Sequence, residues 1–287
     1  MKTEKERDIV IFNLGKQFLV GLGYAEINEE LLKRYFKSPT RQISIAGIYK
    51  KMLFSAREAN MKQNVLTNYI GEDVENLSEL LEGFDPKLVK KKYYKDEEKQ
   101  LVNQWQGLFA DIQKKIIDPE VDVSRDLKGI LPQYCKTILS VADFLSGFSS
   151  AEDFYCWVDK WENFILEDKR NRLALPLLIK NELHGFGFAL SCNILKDLGV
   201  SSLAKPDTHL KGIFKQLGLC RQDADDYEVF KAILRMAEHL EQTGYAVDKL
   251  FWLIGSGYFH DDPQIGENGR IGGRKQEFIN YIQKQIT

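Results

Sequence analysis

The sequence predicts an all-α protein, and three observations support this. Apolar residues recur at helical spacing along most of the chain, as Leu190, Ile194 and Leu198 illustrate. Pro, Gly, Ser and Asp stand where these stretches begin and end, which is typical of helix boundaries. No alternating apolar and polar pattern of useful length is present, and neither is an internal repeat or a low-complexity tract. We therefore expect helices joined by loops, without a sheet.

The first half of the chain is predicted to hold four or five helices. One or two amphipathic helices are expected before Pro39, where the chain breaks, and another helix starts at Pro86 after Asp85. The remaining predicted helices of this half span residues 43–70 and 99–117. A polar loop at 118–128 follows and is the best candidate for a boundary inside the fold.

The second half is predicted to be helical as well. Pro176 suits the first turn of a helix, where its missing N–H is no loss. A helix starting near Asp207 carries the apolar face Leu210, Ile213 and Phe214. The other predicted helices of this half span residues 129–146, 151–168, 224–243 and 246–254.

Composition describes an ordinary globular protein. The 287 residues are 44% apolar and 29% charged, and no apolar run reaches the ~18 residues that a membrane span needs. The first residues lack the long apolar region of a signal peptide. The four cysteines show no C-x-x-C spacing, which indicates a reducing compartment and argues against a zinc site. We expect a cytoplasmic, nucleoid-associated location, or a nuclear one in a eukaryote, and no membrane partner.

The stretch from Leu173 to Leu217 concentrates the features that suggest function. Two glycines in the turn His184-Gly185-Phe186-Gly187 allow positive φ and close approach of another molecule. A glycine turn followed by a helix start presents backbone N–H groups that can bind phosphate. Asp207 stands at the start of a later helix, where the helix dipole favours a carboxylate. A plain structural turn with an Asp cap remains an equal alternative on this pattern alone.

Hairpin and aspartate together resemble the helix-hairpin-helix (HhH-GPD) base-excision DNA glycosylases. In that superfamily a hairpin of the form L-P-G-V-G precedes a catalytic aspartate at about the spacing seen between Ala189 and Asp207. The fragment Pro206-Asp207-Thr208-His209 is most similar to the 8-oxoguanine glycosylase branch. There, the aspartate is followed two residues later by a histidine that contacts phosphate.

The resemblance implies a fold and a function. The fold would be two-lobed and helical, with an N-terminal lobe at 1–128, a helix-hairpin-helix region with the catalytic aspartate at 129–220, and C-terminal helices at 221–287 packing back into one compact unit. The protein would be a monomer that acts on double-stranded DNA with a flipped base. It would hydrolyse the N-glycosidic bond of a damaged or modified base, such as 8-oxoguanine.

The same resemblance implies roles for individual residues. Asp207 would be catalytic, and a set of hairpin and polar residues would bind DNA. The predicted DNA-binding residues are His184, Gly185, Phe186, Gly187, His209 and, as a wedge in the gap left by the flipped base, Arg57, Asn60 and Asn64. His184 replaces the usual proline, so it is either an extra phosphate contact or only a turn residue. A solvated helix face is the alternative for the wedge residues.

Phe251 and Trp252 could stack on the flipped base, although aromatic residues at helical spacing are more often core. The main-chain carbonyls of Asn181, Leu183 and Phe186 would bind a structural monovalent cation by resemblance. No other cofactor is expected, because the scattered cysteines do not form the four-cysteine iron–sulfur loop of some relatives.

Relatives that also cut the DNA strand place a Schiff-base lysine where this chain has Ala189. An amine is essential for covalent attack on C1′. The sequence therefore predicts a monofunctional glycosylase, unless a nearby lysine substitutes.

Two other hypotheses stay open. One is a helix-hairpin-helix DNA-binding protein without catalysis, for which Asp207 would be unnecessary. The other is a helical interaction protein without a nucleic-acid partner. The net charge of −2 and the pI near 6.2 favour the latter, since many DNA-binding proteins are basic overall. A DNA-binding function therefore requires a local basic face.

Overall fold

All regular secondary structure in the described residues is helical. The structure is a computed structural model that describes residues 3–57, 63–96, 99–117, 129–163 and 170–286. Within these ranges, extended residues pair only in two isolated bridges, Tyr258 with Arg270 and Glu267 with Arg270. The predicted all-α class is confirmed. None of the described helices combines the length and the apolar character that crossing a membrane requires.

The α-helices are named here in chain order. They are α1 (Glu4–Val20), α2 (Glu29–Tyr35), α3 (Ile45–Arg57), α4 (Gln63–Ile70), α5 (Pro86–Tyr93), α6 (Trp105–Lys115), α7 (Ile130–Ser146), α8 (Ala151–Asn163), α9 (Arg170–Glu182), α10 (Phe188–Asp197), α11 (Thr208–Gln216), α12 (Asp226–His239), α13 (Gly244–Ser256) and α14 (Lys275–Ile286). Short 3-10 helices span Val74–Leu77, Glu82–Phe84 and Leu101–Gln104.

Local cap chemistry explains several of the helix starts. The Asp85 carboxylate accepts hydrogen bonds from the Lys87 and Leu88 N–H groups before Pro86 opens α5, as the sequence predicted. Pro176 was expected in a first turn but lies inside α9, as the seventh residue of that helix. Apolar side chains continue on both sides of it, with Leu175 and Ile179 buried. Their burial supports the helix through a residue that cannot donate a backbone hydrogen bond.

The chain divides into two compact units. Unit 1 comprises Met1–Pro39 and Leu195–Thr287, and unit 2 comprises Thr40–Ile194. These limits differ from the predicted boundaries at 128 and 220. The N-terminal segment belongs with the C-terminal helices, because α1 packs against α12, α13 and α14. The loop expected at 118–128 lies outside the described residues.

Unit 1 is built around α13, the most apolar helix of that unit. The ring of Phe251 is completely buried and lies 5.3 Å from Phe214, 6.0 Å from Phe278 and 6.5 Å from Phe12, measured between ring centroids. These three rings come from α11, α14 and α1. A single residue of α13 thus joins three helices in one aromatic core.

Unit 2 is built around α7, which packs against α3, α5 and α6. Its buried face includes Ile138, Leu139 and Leu145, each with no exposed surface. The Tyr49 hydroxyl donates to the Ile138 carbonyl at 2.9 Å, and the Tyr134 hydroxyl donates to the Leu53 carbonyl at 3.1 Å. These bonds satisfy buried polar groups between α3 and α7. They also fix the position of α7, whose Gln133 and Ser140 side chains bond to His184 in the predicted hairpin.

Candidate functional site

The predicted hairpin is present in unit 2 as the turn between α9 and α10. The Leu183 N–H donates to Ile179, and the Phe186 N–H donates to Leu183 at 3.4 Å. Gly185 has φ of 82° and is exposed, as is Gly187. Phe186 is 4% exposed and anchors the turn through its side chain. Only its backbone can then face a ligand, between two exposed glycines.

The beginning of α10 is suited to an anion. The first N–H groups of any α-helix lack an acceptor within the helix, and its dipole favours negative charge there. The first turn is closed by the Ser191 N–H and hydroxyl, which both donate to the Gly187 carbonyl at 2.9 Å and 3.1 Å. Ala189 is half-buried in the same turn.

The conformation of Gly185 leads to a prediction about the hairpin. We expect Gly185→Ala to destabilise unit 2 by about 1–2 kcal/mol, because a side chain is strained at positive φ. Its Cβ would also lie 2.8 Å from Thr137 Oγ1. Gly187→Ala is the matched control, since a Cβ there meets nothing within 4 Å.

Thermal unfolding tests this prediction. Gly187→Ala should keep the melting temperature of the wild type, whereas Gly185→Ala should lower it. Equal melting temperatures for both variants would contradict the strain argument.

His184 is engaged inside unit 2. Its main-chain N–H donates to Ser140 Oγ at 3.0 Å, and its ring Nε2 lies 2.9 Å from Gln133 Oε1. Burial, together with the nearby Lys136 ammonium, lowers the pKa of His184 and so disfavours a charged ring. Of the two roles that the sequence left open, this geometry favours the turn residue over the phosphate contact.

Asp207 is the N-cap of α11 in unit 1. Its Oδ1 accepts from the His209 N–H at 2.8 Å and from the Leu210 N–H at 3.0 Å. Among the described residues, no hydrogen bond or ion pair reaches its other oxygen, Oδ2. The residue is half-buried. One oxygen is therefore fixed by the helix and the other is available to a reacting group.

His209 lies in the first turn of the same helix. Its ring and Cβ pack so closely on α13 that a Cβ on Gly255 would come within 2.5 Å of His209 Cβ. A glycine is thus required at position 255. The close packing fixes where α11 begins relative to α13, and with it the position of the Asp207 carboxylate.

The predicted wedge has a different outcome for each residue. Arg57 is 2% exposed, and its guanidinium donates to the carbonyls of Glu72 and Gly71, both at 2.7 Å. The prediction that Arg57 contacts DNA is therefore wrong. Its guanidinium is buried and its donors are used by main-chain carbonyls in the turn that follows α4. Asn60 lies outside the described residues, and so does the side chain of Asn64.

The two predicted base-pocket residues differ in burial. Phe251 forms the core of unit 1, so its prediction as a pocket residue is wrong. Trp252, one residue on, is half-buried, and its ring lies 6.4 Å from Tyr258 and 6.0 Å from His260. His260 was not among the residues predicted from the sequence. The signal that could have identified it is its position directly after the aromatic residues Tyr258 and Phe259.

No metal centre emerges from side chains. In the ranges that the structure describes, no group of three or more His, Cys, Asp or Glu residues could hold a metal ion. The four cysteines all lie in the described residues and form no disulfide bond; Cys135 and Cys192 are buried, and Cys156 is exposed. The cation predicted at the hairpin would use main-chain oxygens instead, and the Leu183 carbonyl retains capacity because it accepts one long bond.

Comparisons with known proteins add one structural likeness. No protein-family model matches the sequence. No curated protein matches it either. Among solved structures, the chain is similar to a trapped covalent intermediate of endonuclease III with DNA, in an estranged-adenine complex, at 12% identity and a TM-score of 0.43. The likeness covers 90% of this chain and 88% of that chain. Similarity at this level does not define a family.

Proposed function

We propose that the protein is a DNA N-glycosylase that removes a damaged or modified base. The observation that carries this proposal is the state of Asp207. A carboxylate held through one oxygen by two backbone N–H groups, with its second oxygen free, is pre-positioned for electrostatic work. A pure binding module would gain nothing from a free carboxylate oxygen beside DNA, because it repels phosphate.

The reaction that this carboxylate can support is hydrolysis at the sugar C1′. As the bond between C1′ and the base nitrogen breaks, positive oxocarbenium character develops on the sugar, and the Asp207 carboxylate stabilises it. The same group orients an attacking water and accepts its proton. The water oxygen bonds to C1′, and the base leaves with the electron pair of the broken bond and then takes up a proton. The products are the free base and an abasic site.

The target base must leave the stack before C1′ can be reached, which selects for damaged or mispaired bases. We propose that the backbone of Gly185, Phe186 and Gly187 binds one phosphate and that His209 contacts another. The exposed glycines and the start of α10 support the first contact. A monovalent cation on the carbonyls of Asn181, Leu183 and Phe186 would add positive charge at the hairpin.

Ala189 leads us to propose a monofunctional enzyme, which leaves the abasic site uncut. Its methyl group cannot attack C1′ as an amine does. We expect strand cleavage of the product only after hot alkali. Product that is cut without alkali, and that borohydride traps on the protein, would contradict this and point to another lysine.

The function is tested by base release from labelled duplexes that carry 8-oxoguanine, hypoxanthine, an alkylated purine, uracil or a mismatch. Release from one duplex, followed by alkali-dependent cleavage, is the expected result, and by the resemblance 8-oxoguanine is the first base to test. DNA binding without release from any duplex would favour a non-catalytic helix-hairpin-helix protein. If neither base release nor DNA binding is found, the remaining hypothesis is a helical interaction protein that has no nucleic-acid partner.

A further inference from the structure

Unit 1 carries a partly exposed cluster of aromatic and cationic side chains that the reaction above does not use. We call it the aromatic–cation face and define it by Lys249, Trp252, Tyr258, His260 and Arg270. Lys249 and Trp252 lie one turn apart on α13, and the other three come from the segment between α13 and α14. Lys249, Trp252 and Tyr258 are half-buried, while His260 and Arg270 are exposed.

The members of the face alternate between rings and cations. The Lys249 ammonium lies 4.8 Å from the centroid of the Trp252 ring, and the Arg270 guanidinium lies 3.9 Å from that of Tyr258. The Trp252 and Tyr258 rings are 6.4 Å apart, and both lie about 6 Å from His260, at 6.0 Å and 5.9 Å. Such short cation–π distances keep the charges close to the ring faces.

The loop that carries half of the face is fixed to α13. Gly257 ends the helix with φ of 63°, and its carbonyl accepts from the Ile271 N–H at 2.9 Å. The Phe259 N–H donates to the Gly269 carbonyl at 2.6 Å, and Phe259 is buried. The glycine-rich segment is therefore held in place, with Tyr258 paired to Arg270 across it. Its side chains are pre-organised for binding.

The face has one carboxylate partner of its own. Asp261 Oδ2 lies 3.2 Å from His260 Nε2, and both groups are exposed. Neither Lys249 nor Arg270 takes part in an ion pair among the described residues. Neither cation therefore has a carboxylate of these residues in direct contact, although Asp248, Asp197 and Asp261 act on Lys249 at longer range.

We propose that the aromatic–cation face binds a single-stranded segment of nucleic acid, with unpaired bases against Trp252 and Tyr258 and phosphates beside Lys249 and Arg270. This inference rests on the proposed function for the identity of the partner as DNA. Stacking platforms combined with cations are the general means by which proteins bind single strands. An acidic peptide would satisfy the cations but offer no base to stack on the rings, and an apolar partner would bury the charges.

The binding is tested by fluorescence anisotropy with a labelled oligothymidylate of about ten nucleotides, a length within the usual site sizes. We expect Trp252→Leu to weaken binding about 5- to 150-fold, because a base then loses its stacking partner. Trp252→Phe keeps a ring and should retain most of the affinity. Equal loss in both variants, or loss in neither, overturns the proposal.

The charge contribution has its own measurement. We expect Arg270→Gln to weaken binding and to reduce the slope of log K against log salt by about 0.7, the value for one phosphate on a single strand. Lys231→Gln is the matched control, since Lys231 is an exposed lysine 5.1 Å from the Tyr227 ring on α12, a helix that contributes no residue to the face. A control that loses as much as Arg270→Gln would show general attraction only, and would overturn the proposal.

Lys249 predicts a pH dependence. Burial and the neighbouring Lys196 ammonium lower the pKa of Lys249 to about 8, against the opposing effect of three carboxylates. Those carboxylates are Asp248, Asp197 and Asp261. Burial and Lys249 also lower the pKa of His260. Single-strand binding should therefore weaken as pH rises through about 8, and Lys249→Arg should abolish that dependence.

Two further samples separate the outcomes. A duplex of the same sequence should bind Trp252→Leu as tightly as it binds the wild type, since its bases are already stacked. If Trp252→Leu lost as much affinity for the duplex as for the single strand, the face would contact the backbone without stacking, contrary to the proposal. Labelled oligoglutamate that binds as tightly as the oligothymidylate would identify an acidic protein partner instead. Base release from lesion duplexes, measured on the same variants, shows independently whether the proposed function stands when this inference fails.

Discussion

Replacing Asp207 with Asn is expected to reduce base release by about 100- to 1,000-fold while the protein stays folded. The loss corresponds to removing one pre-organised electrostatic group from the transition state. Asn keeps the shape of the side chain but carries no charge, so it cannot stabilise positive charge at C1′ or accept a proton from water. DNA binding should be equal or tighter, because a negative charge near phosphate disappears.

The cap geometry makes this substitution cleaner than a truncation. Asp207 Oδ1 accepts the two N–H groups that begin α11, and Asn fills an N-cap position about as well as Asp. Asp207→Ala would remove the cap too, at about 1 kcal/mol. Single-turnover base release, with melting temperatures for both variants, separates the catalytic effect from the structural one.

The same unit offers a matched control. Asp225 is the N-cap of α12, and its carboxylate accepts from the Glu228 N–H at 2.8 Å in the same extended backbone conformation. Asp225→Asn should therefore leave both base release and stability unchanged. A catalytic role for Asp207 would be contradicted if Asp207→Asn released the base as fast as the wild type does. It would also be contradicted if Asp225→Asn lost as much activity as Asp207→Asn.

Local patterns determined which parts of the site could be predicted from the sequence. The cap at Asp207 and the positive φ of Gly185 depend on residues within three or four positions, and both are present. Arg57 could not be placed this way, because a polar neighbourhood looks alike whether it faces solvent or closes a turn. Its acceptors, Glu72 and Gly71, stand about fifteen residues further along the chain.

The distinction between Phe251 and Trp252 has a similar cause. Both lie on α13, one residue apart, and helical spacing alone does not tell which side meets other helices. Phe251 is buried because α1, α11 and α14 surround it. The neighbours of Trp252 come from the loop after Gly257, whose path is set by pairing between distant residues.

The division into units also depends on contacts between distant residues. The polar stretch at 118–128 was the strongest boundary signal in the sequence. Unit 1 nevertheless combines the first 39 residues with Leu195–Thr287. Ring contacts such as that of Phe12 with Phe251 join these two parts of the chain. A composition shift marks a loop, but it does not show which helices share a core.

The largest effect on stability is expected from Asp248→Ala in unit 1. Asp248 is 1% exposed and Lys196 is 7% exposed, and Asp248 Oδ2 lies 2.9 Å from the Lys196 ammonium. The same oxygen accepts the Lys205 N–H at 2.5 Å. Removing one partner of a buried ion pair costs about 3–5 kcal/mol, because the other charge is left unpaired. This is a large part of the ~5–15 kcal/mol that stabilises a typical domain.

The pH dependence of unfolding distinguishes this explanation from simple loss of packing. Burial alone would lower the pKa of Lys196, but Asp248 and Asp197 outweigh it and the pKa is raised. In the wild type, this pair therefore stabilises at neutral pH and its contribution is lost only as pH rises through that raised pKa. In Asp248→Ala, the pKa of Lys196 should fall below its value in the unfolded chain, because the buried ammonium has lost its partner. The folded state then loses the Lys196 proton before the unfolded state does, so the stability of the variant should increase as pH rises above about 7.

Urea unfolding at several pH values tests this, with two comparisons. Replacing both residues, as Lys196→Met with Asp248→Leu, should recover much of the loss, since no charge is then buried alone. The exposed pair of Lys33 with Glu30 on α2 is the control, and Glu30→Gln should cause no measurable change. If Asp248→Ala lost stability equally at every pH and the double variant recovered nothing, the pair would contribute through shape and the Lys205 hydrogen bond. The charge of Lys196 would then have no part in holding the start of α11 against α13.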